Sequence, residues 1–359
     1  MPLASFDLER WLRAHQSEAR WPIGGSGAPQ ASIQPFLPTG PAEWERLWSQ
    51  RADDATRALQ EAVAKSYGLR AEEIVPTQGA SEADAVAALG LAGPGAHVVV
   101  EEPAYFALLQ PARAFGCRVT RVRRAPEQGF RLDPGEVARA LTRDTKLVVT
   151  AQPHNPSGER SSDAELREIA DACAARGAWL LVDEVFADAT GPASPARLLH
   201  DRILTVNSLT KCLGFGPLHV GWLAAHRDAL EALDRAKSHL SVNNPVLDLA
   251  LGARVLAQRE RLLQATIAAR AANVPVVEAV VRDLGLGWHE PPRGTTCVVR
   301  LPPALQDDVA FARSLLEREG ALVAPGGFLE LPGWIRLGLL SGHDQLRGGL
   351  AAIGRLVRA

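Results

Sequence analysis

Lysine is scarce in this chain. Of 39 basic residues only Lys65, Lys146, Lys211 and Lys237 are lysines, and the rest are arginine. A generic positive charge is therefore written as arginine, and a lysine in a loop of small residues calls for a chemical reason. Long hydrophobic runs are missing too. No stretch of about 18 apolar residues occurs, so no membrane-spanning helix is expected. The opening MPLASFDLERWLRAHQ carries charges where a signal peptide needs an apolar core. The net charge of −2 provides no basic face for nucleic acid and no polybasic membrane patch. Cys117, Cys173, Cys212 and Cys297 are scattered without CxxC spacing. They are expected to be reduced thiols of a cytoplasmic protein rather than a zinc site or a disulfide framework.

What is present reads as an ordinary soluble chain, 47% hydrophobic and 22% charged, whose 359 residues exceed the usual single domain. Helical periodicity covers Phe6 to His15. Glycine and proline dominate from Pro22 to Pro41, which predicts an extended connection. Pro41 opens a predicted long helix running toward Tyr67. Short apolar runs follow at His97–Val100, Arg118–Val122, Lys146–Thr150, Ala178–Val182 and Ile203–Val206. Amphipathic stretches such as Ser81–Leu91 and Asp163–Arg176 separate them. Strands alternating with helices imply an α/β fold with a mostly parallel, doubly wound sheet. Beyond Asn244 a long helical region to Asp283 is predicted. It is followed by strands at Thr295–Arg300 and Gly333–Leu340 and helices at Asp307–Glu319 and His343–Val357, an α+β unit. The expected division is residues 1–40 (a helix and extended segment joining the small unit), 41–243 (large domain) and 244–359 (small domain).

Lys211 stands in NSLTKCLGFGPLHVGW, between Ser208 and Thr210 on one side and Gly214 and Gly216 on the other. Unlike arginine, a lysine amine can form an imine with an aldehyde, and small neighbours suit a bound phosphate. Ligands of open α/β sheets bind at the carboxyl ends of strands. Asn155, Asp183 and Ser208 each follow one of the apolar runs, which places them at one crevice. Gly79, Ala80 and Ser81 open an amphipathic stretch, and a helix N-terminus there is a ready anion site, with Ser81 doubling as N-cap.

Five segments, TQGASEA, EEPAY, QPHNPSG, VDEVFAD and SLTK, occur in the order and spacing of the class I/II pyridoxal-phosphate aminotransferases. WIRLGLL, from Trp334 to Leu340, resembles the family's substrate-arginine strand. The resemblance runs from about Leu59 to the end. It implies the fold-type I architecture, a seven-stranded sheet flanked by helices plus a smaller α+β domain, with pyridoxal 5'-phosphate as cofactor. It also implies an aldimine at Lys211, which, once freed by the substrate amine, moves the proton between Cα and C4′. Asp183 would keep the pyridine nitrogen protonated, Asn155 bond O3′, Tyr105 stack on the ring, and Ser208 add to the phosphate end. Arg336, with Asn155, would bind the substrate, its guanidinium gripping the α-carboxylate by two hydrogen bonds.

Two positions depart from the family pattern. Where members carry a phosphate-binding arginine, eight residues after the lysine, this chain has His219. A histidine provides fewer donors and loses its charge above roughly pH 6.5 unless perturbed, so cofactor affinity is expected to weaken as pH rises. Where many members carry a tyrosine that donates to O3′, this chain has Phe186. The usual N-terminal tyrosine-and-glycine segment is also missing, leaving Trp44, Trp48 or the Gly24–Gly27 turn to complete the site.

The leading expectation is an aminotransferase moving an amino group between an L-amino acid and a 2-oxo acid in ping-pong half-reactions. A second is another pyridoxal-phosphate outcome: a lyase, a decarboxylase, or a cyclising or replacement enzyme. A third is a non-catalytic protein of the same fold, which the retained Lys211, Asp183 and Asn155 disfavour. The resemblance further implies a homodimer with active sites near the interface.

Overall fold

The computed structural model of the chain describes residues 4–289 and 292–359. A two-residue strand, β1 (Trp21–Pro22), comes first. The large sheet follows: β2 (Ile74–Gln78), β3 (His97–Glu102), β4 (Arg118–Arg123), β5 (Thr145–Ala151), β6 (Trp179–Asp183), β7 (Ile203–Ser208) and β8 (Val220–Ala224). Its spatial order is β2-β8-β7-β6-β5-β3-β4. β8 runs antiparallel to both neighbours and the other pairings are parallel. The seven-stranded, mostly parallel sheet expected from the resemblance is therefore present.

The strand sequences follow from burial. Central β6 is WLLVD, buried at every position, because helices cover both faces of a parallel sheet. Leu181 and Leu204 face the core shared with Ala83, Val86 and Leu233, whereas Leu180, Val182 and Ile203 face Leu166, Ile169 and Cys173. That is the period of two expected of a strand. Edge strand β4, RVTRVR, keeps Arg118 and Arg123 exposed, a charged edge that discourages further pairing. The helix Asp163–Ala174 starts in a capping box of Ser162 and Glu165.

The smaller unit holds β9 (Gly287–Trp288), β10 (Thr296–Arg300), β11 (Ala321–Leu322), β12 (Ala324–Pro325) and β13 (Trp334–Gly338). Four of these form an antiparallel sheet in the order β12-β13-β10-β9, and β11 pairs in parallel with β1. The N-terminal helix Asp7–His15 packs on this unit. Trp11 enters its core, and its indole N–H donates to the Val323 carbonyl at 2.9 Å.

Three helical spans differ from expectation. The long helix from Pro41 is two helices, Pro41–Trp48 and Ala52–Tyr67, with Arg51 extended between them. The Ser49 hydroxyl donates to the Glu45 carbonyl at 2.7 Å, a local bond that competes with helix propagation. The region after Asn244 is likewise two helices, Val246–Leu256 and Arg259–Asp283. The stretch placed at Ser81–Leu91 is an α-helix over Gly79–Ala87 that ends in a π turn, Ala88–Ala92. Leu249, Val255 and Leu263 pack in the core that holds Leu59 and Trp222, whereas Val277 and Val281 pack with the small unit. We therefore propose that the boundary expected at 243/244 lies inside the helix Arg259–Asp283.

Candidate active site

The carboxyl ends of β5, β6 and β7 lie side by side, with Ala151 paired to Asp183 and Asp183 to Val206. In front of them is a cavity of about 330 Å³. Gly79, Ala80, Ser81, Tyr105, Asn155, Asp183, Phe186, Ser208, Lys211 and His219 all line it. Arg336 stands behind Asn155, donating from one terminal nitrogen to the Asn155 side-chain oxygen at 3.2 Å.

Lys211 reaches the centre and donates from Nζ to Ser26 Oγ at 3.3 Å. Burial pushes its pKa below the ordinary lysine value; Glu9 and Asp183 work against that shift and Arg336 adds to it. The result favours a neutral, nucleophilic amine. Asp183 closes β6 and accepts from the Val185 N–H at 2.9 Å. Burial pushes its pKa up to about 6, with Glu101 repelling from behind. Glu101 is itself wholly buried against Arg124 at 2.6 Å and accepts from the Ala151 N–H at 2.8 Å. The Ala151 bond ties β3 to β5 beneath the site, and the Glu101–Arg124 pair ties β3 to the chain leaving β4. Removing one partner would strand a buried charge at a cost of about 3–5 kcal/mol.

The opposite end is built from backbone. The helix Gly79–Ala87 begins at Gly79, so Ser81 sits inside the first turn and is not the N-cap. Gln78 is the N-cap, and no side chain caps the turn. Its free N–H groups and positive dipole end suit an anion. Close approach of β8 makes this possible: a Cβ on Gly221 would lie 2.4 Å from the Gly79 carbonyl carbon. His219 follows the turn Gly216–Leu218 with φ 48°, a left-handed conformation that histidine tolerates better than most residues.

The turn carrying Asn155 is pinned by His154, whose Nε2 donates to the Pro103 carbonyl at 2.9 Å while Nδ1 accepts from Ser157 Oγ at 2.7 Å. Burial holds this imidazole well below the ordinary histidine pKa, so it stays neutral. Arg336, 1% exposed, also donates to the Gly24 carbonyl at 2.9 Å, and its Nε has no partner among the described residues. Burial lowers its pKa to about 10, which still leaves a cation with a spare donor. A carboxylate is the ligand that satisfies both.

Sequence reasoning overlooked three residues. Glu9, on the N-terminal helix, accepts from the Tyr105 hydroxyl at 3.3 Å, and its charge acts on both Lys211 and Arg336. Ser26, in the Gly24–Gly27 turn, lines the cavity and accepts from Lys211, whereas Trp44 and Trp48 are 42% and 73% exposed. Asp84 lines the cavity one turn beyond Gly79. The only available signal for Glu9 was an acidic residue on the polar side of an amphipathic helix, which reads as solvated surface.

Uncapped N–H groups, a half-buried lysine, a buried carboxylate and an arginine with a spare donor together fit a phosphorylated pyridine aldehyde and an α-amino acid. A family model for aminotransferase class I and II matches residues 53–351. The chain is 31% identical to the arginine–pyruvate transaminase AruH of Pseudomonas aeruginosa, over 81% of this chain and 78% of that one. It is 30% identical to the capreomycidine synthase of Streptomyces vinaceus, over 98% of this chain and 93% of that one. Its fold superposes on the PLP-dependent cyclase OrfR with a TM-score of 0.86 at 26% identity, covering 100% of this chain and 98% of the other.

Proposed function

The chain belongs to the class I and II aminotransferases and is a pyridoxal-phosphate enzyme, and from that premise we propose that its amino donor is an L-amino acid with a cationic side chain. Glu9 carries this reading. A carboxylate that reaches Tyr105 beside Lys211 and Arg336 is a poor neighbour for an acidic substrate and a natural partner for a guanidinium or ammonium group. When bound, pyridoxal 5'-phosphate supplies the aldehyde and the electron-withdrawing ring. The chain does the rest. Arg336 holds the α-carboxylate through Nε, and Asp183 holds the proton of the ring nitrogen. Lys211 would take the proton from the substrate Cα and move it on rather than return it to the same carbon. Buried Phe186 and half-buried Tyr105 line the cavity and would shield the ring from water.

The AruH relative is an arginine–pyruvate transaminase, which supports the reading. A second reading has its own support: the capreomycidine synthase likeness spans the N-terminal helix that the family model omits, and the OrfR likeness is to a cyclase. In that reading Glu9 holds the same cationic side chain while it is rearranged within one molecule. Reconstituting the purified chain with the cofactor and adding a panel of L-amino acids separates the two. Transamination bleaches the yellow band with a basic amino acid and restores it with a 2-oxo acid. A cyclised product formed without any 2-oxo acid selects the second reading, and preference for acidic or neutral donors rejects the cationic assignment.

A cytoplasmic homodimer is proposed as well. The exposed Trp48, Trp44, Leu240 and Val242 supply apolar surface for a second copy, and light scattering at micromolar concentration tests it. Among the described residues no helix is long and apolar enough to cross a membrane.

A further inference from the structure

Asp84 occupies the buried face of the helix Gly79–Ala87, a position where its neighbours Ala83, Val86 and Ala87 are core residues. It is 4% exposed and lines the same cavity as Asp183. Its Oδ1 is buried without a hydrogen-bond partner among the described residues. The surrounding charges are engaged elsewhere. Glu82, on the same helix, faces Lys237 at 3.6 Å. Glu101 of β3 is held by Arg124. Tyr105 is bonded to Glu9. Lys211 acts on Asp183. His219 lines the phosphate end. The charged group whose field reaches Asp84 is Asp183. Two carboxyl groups buried at one cavity cannot both be ionised cheaply, and burial together with the Asp183 charge pushes the Asp84 pKa well above the usual range.

We propose that Asp84 and Asp183 form a carboxyl pair sharing one proton, with Asp84 holding it and Asp183 presenting the carboxylate. Asp84 is then a positioning residue. Its O–H stabilises the Asp183 carboxylate, keeps it ionised to lower pH, and makes it a weaker base toward the ring nitrogen. The consequence for the cofactor rests on the pyridoxal-phosphate assignment of this cavity; the shared proton does not.

Infrared difference spectra of the apoprotein at pH 7 read the proton directly. The wild type should show the carbonyl band of a neutral carboxyl group that Asp84→Asn removes. Absence of that difference overturns the pair, whatever the cavity binds. Cofactor affinity against pH then reads the consequence. Asp84→Leu suits the core but removes the donor, so the acid limb should rise by about one pH unit, a ~10-fold loss of affinity at pH 6. Asp84→Asn keeps a donor and should restore the wild-type limb. An unmoved limb in Asp84→Leu means that the side chain only fills space. If no variant binds the cofactor, the cavity assignment fails while the infrared result still decides the pair.

Discussion

Replacing Glu9 by glutamine tests the substrate reading most directly. The substitution keeps a side-chain oxygen that can accept from the Tyr105 hydroxyl at 3.3 Å, so the helix Asp7–His15 and its Trp11 anchor in the small unit stay in place. Only the charge is removed. Glu9 is half-buried at the edge of the site, so its attraction for a ligand cation is screened below the interior limit. A charge-assisted hydrogen bond in such a setting is worth about 1.5–3 kcal/mol, or ~10- to ~150-fold in kcat/KM. The assay compares L-arginine with L-citrulline, which has nearly the same shape but no charge. Glu9→Gln should lower kcat/KM for arginine by that factor and leave citrulline within about twofold, so that the ratio collapses toward unity. Removal of the negative charge also takes away a field that holds the Lys211 pKa up, so any general effect on the amine appears with both substrates and cancels in the ratio. Equal losses for the two substrates would refute the reasoning, because they would mean that Glu9 only positions Tyr105.

Gly221→Ala should destabilise the fold by about 1–3 kcal/mol, since the new Cβ meets the Gly79 carbonyl carbon at 2.4 Å. It should also weaken cofactor binding by displacing the helix N-terminus. Gly40→Ala, whose Cβ meets nothing within 4 Å, is the control in the same thermal melts. His219→Arg supplies a permanently charged fork at the phosphate end and should raise cofactor affinity ~10-fold at pH 8, as measured by fluorescence titration of the apoprotein; no gain would remove position 219 from the phosphate site. Asp183 has its pKa at about 6, so cofactor affinity should fall as pH drops through 6 and the carboxylate takes a proton. An affinity flat from pH 5 to 7 contradicts its pairing with the ring nitrogen. Glu184, buried and accepting from the Ala196 N–H at 2.8 Å, has its pKa pushed up to about 8. Because that value lies above the unfolded one, its contribution to stability is full at low pH and is lost as pH rises through 8. Melting temperature should therefore fall less between pH 6 and 9 in Glu184→Gln than in the wild type.

Lys211, Asp183, Asn155 and Ser208 were legible in the sequence because each lies within a few residues of a strand end, and a parallel sheet brings neighbouring strand ends together. The strands themselves were legible because burial on both faces demands continuous apolar runs, as in WLLVD of β6. Arg336 was legible only through resemblance: its contact with Asn155 spans 181 residues, and nothing local to WIRLGLL sets that distance. The helix breaks at Ser49–Arg51 and Ala257–Gln258 escaped notice because apolar periodicity continues across them; at Ser49 the interruption arises from a side-chain hydroxyl bonding the backbone. Glu9 with Tyr105, Asp84 with Asp183 and Gly221 against Gly79 belong to the tertiary structure alone. In each case the residue's own segment reads as ordinary helix or strand. The chemistry comes from a partner placed beside it by the docking of the small unit, by the packing of the helix Gly79–Ala87 on the large sheet, or by the one antiparallel strand of that sheet. The sequence by itself determined the fold, the cofactor class and the residues at the strand ends. Which charge meets the substrate side chain, and which carboxyl holds a proton, depended on side chains far apart in the chain being buried together, where the low dielectric gives their mutual distance its energetic weight.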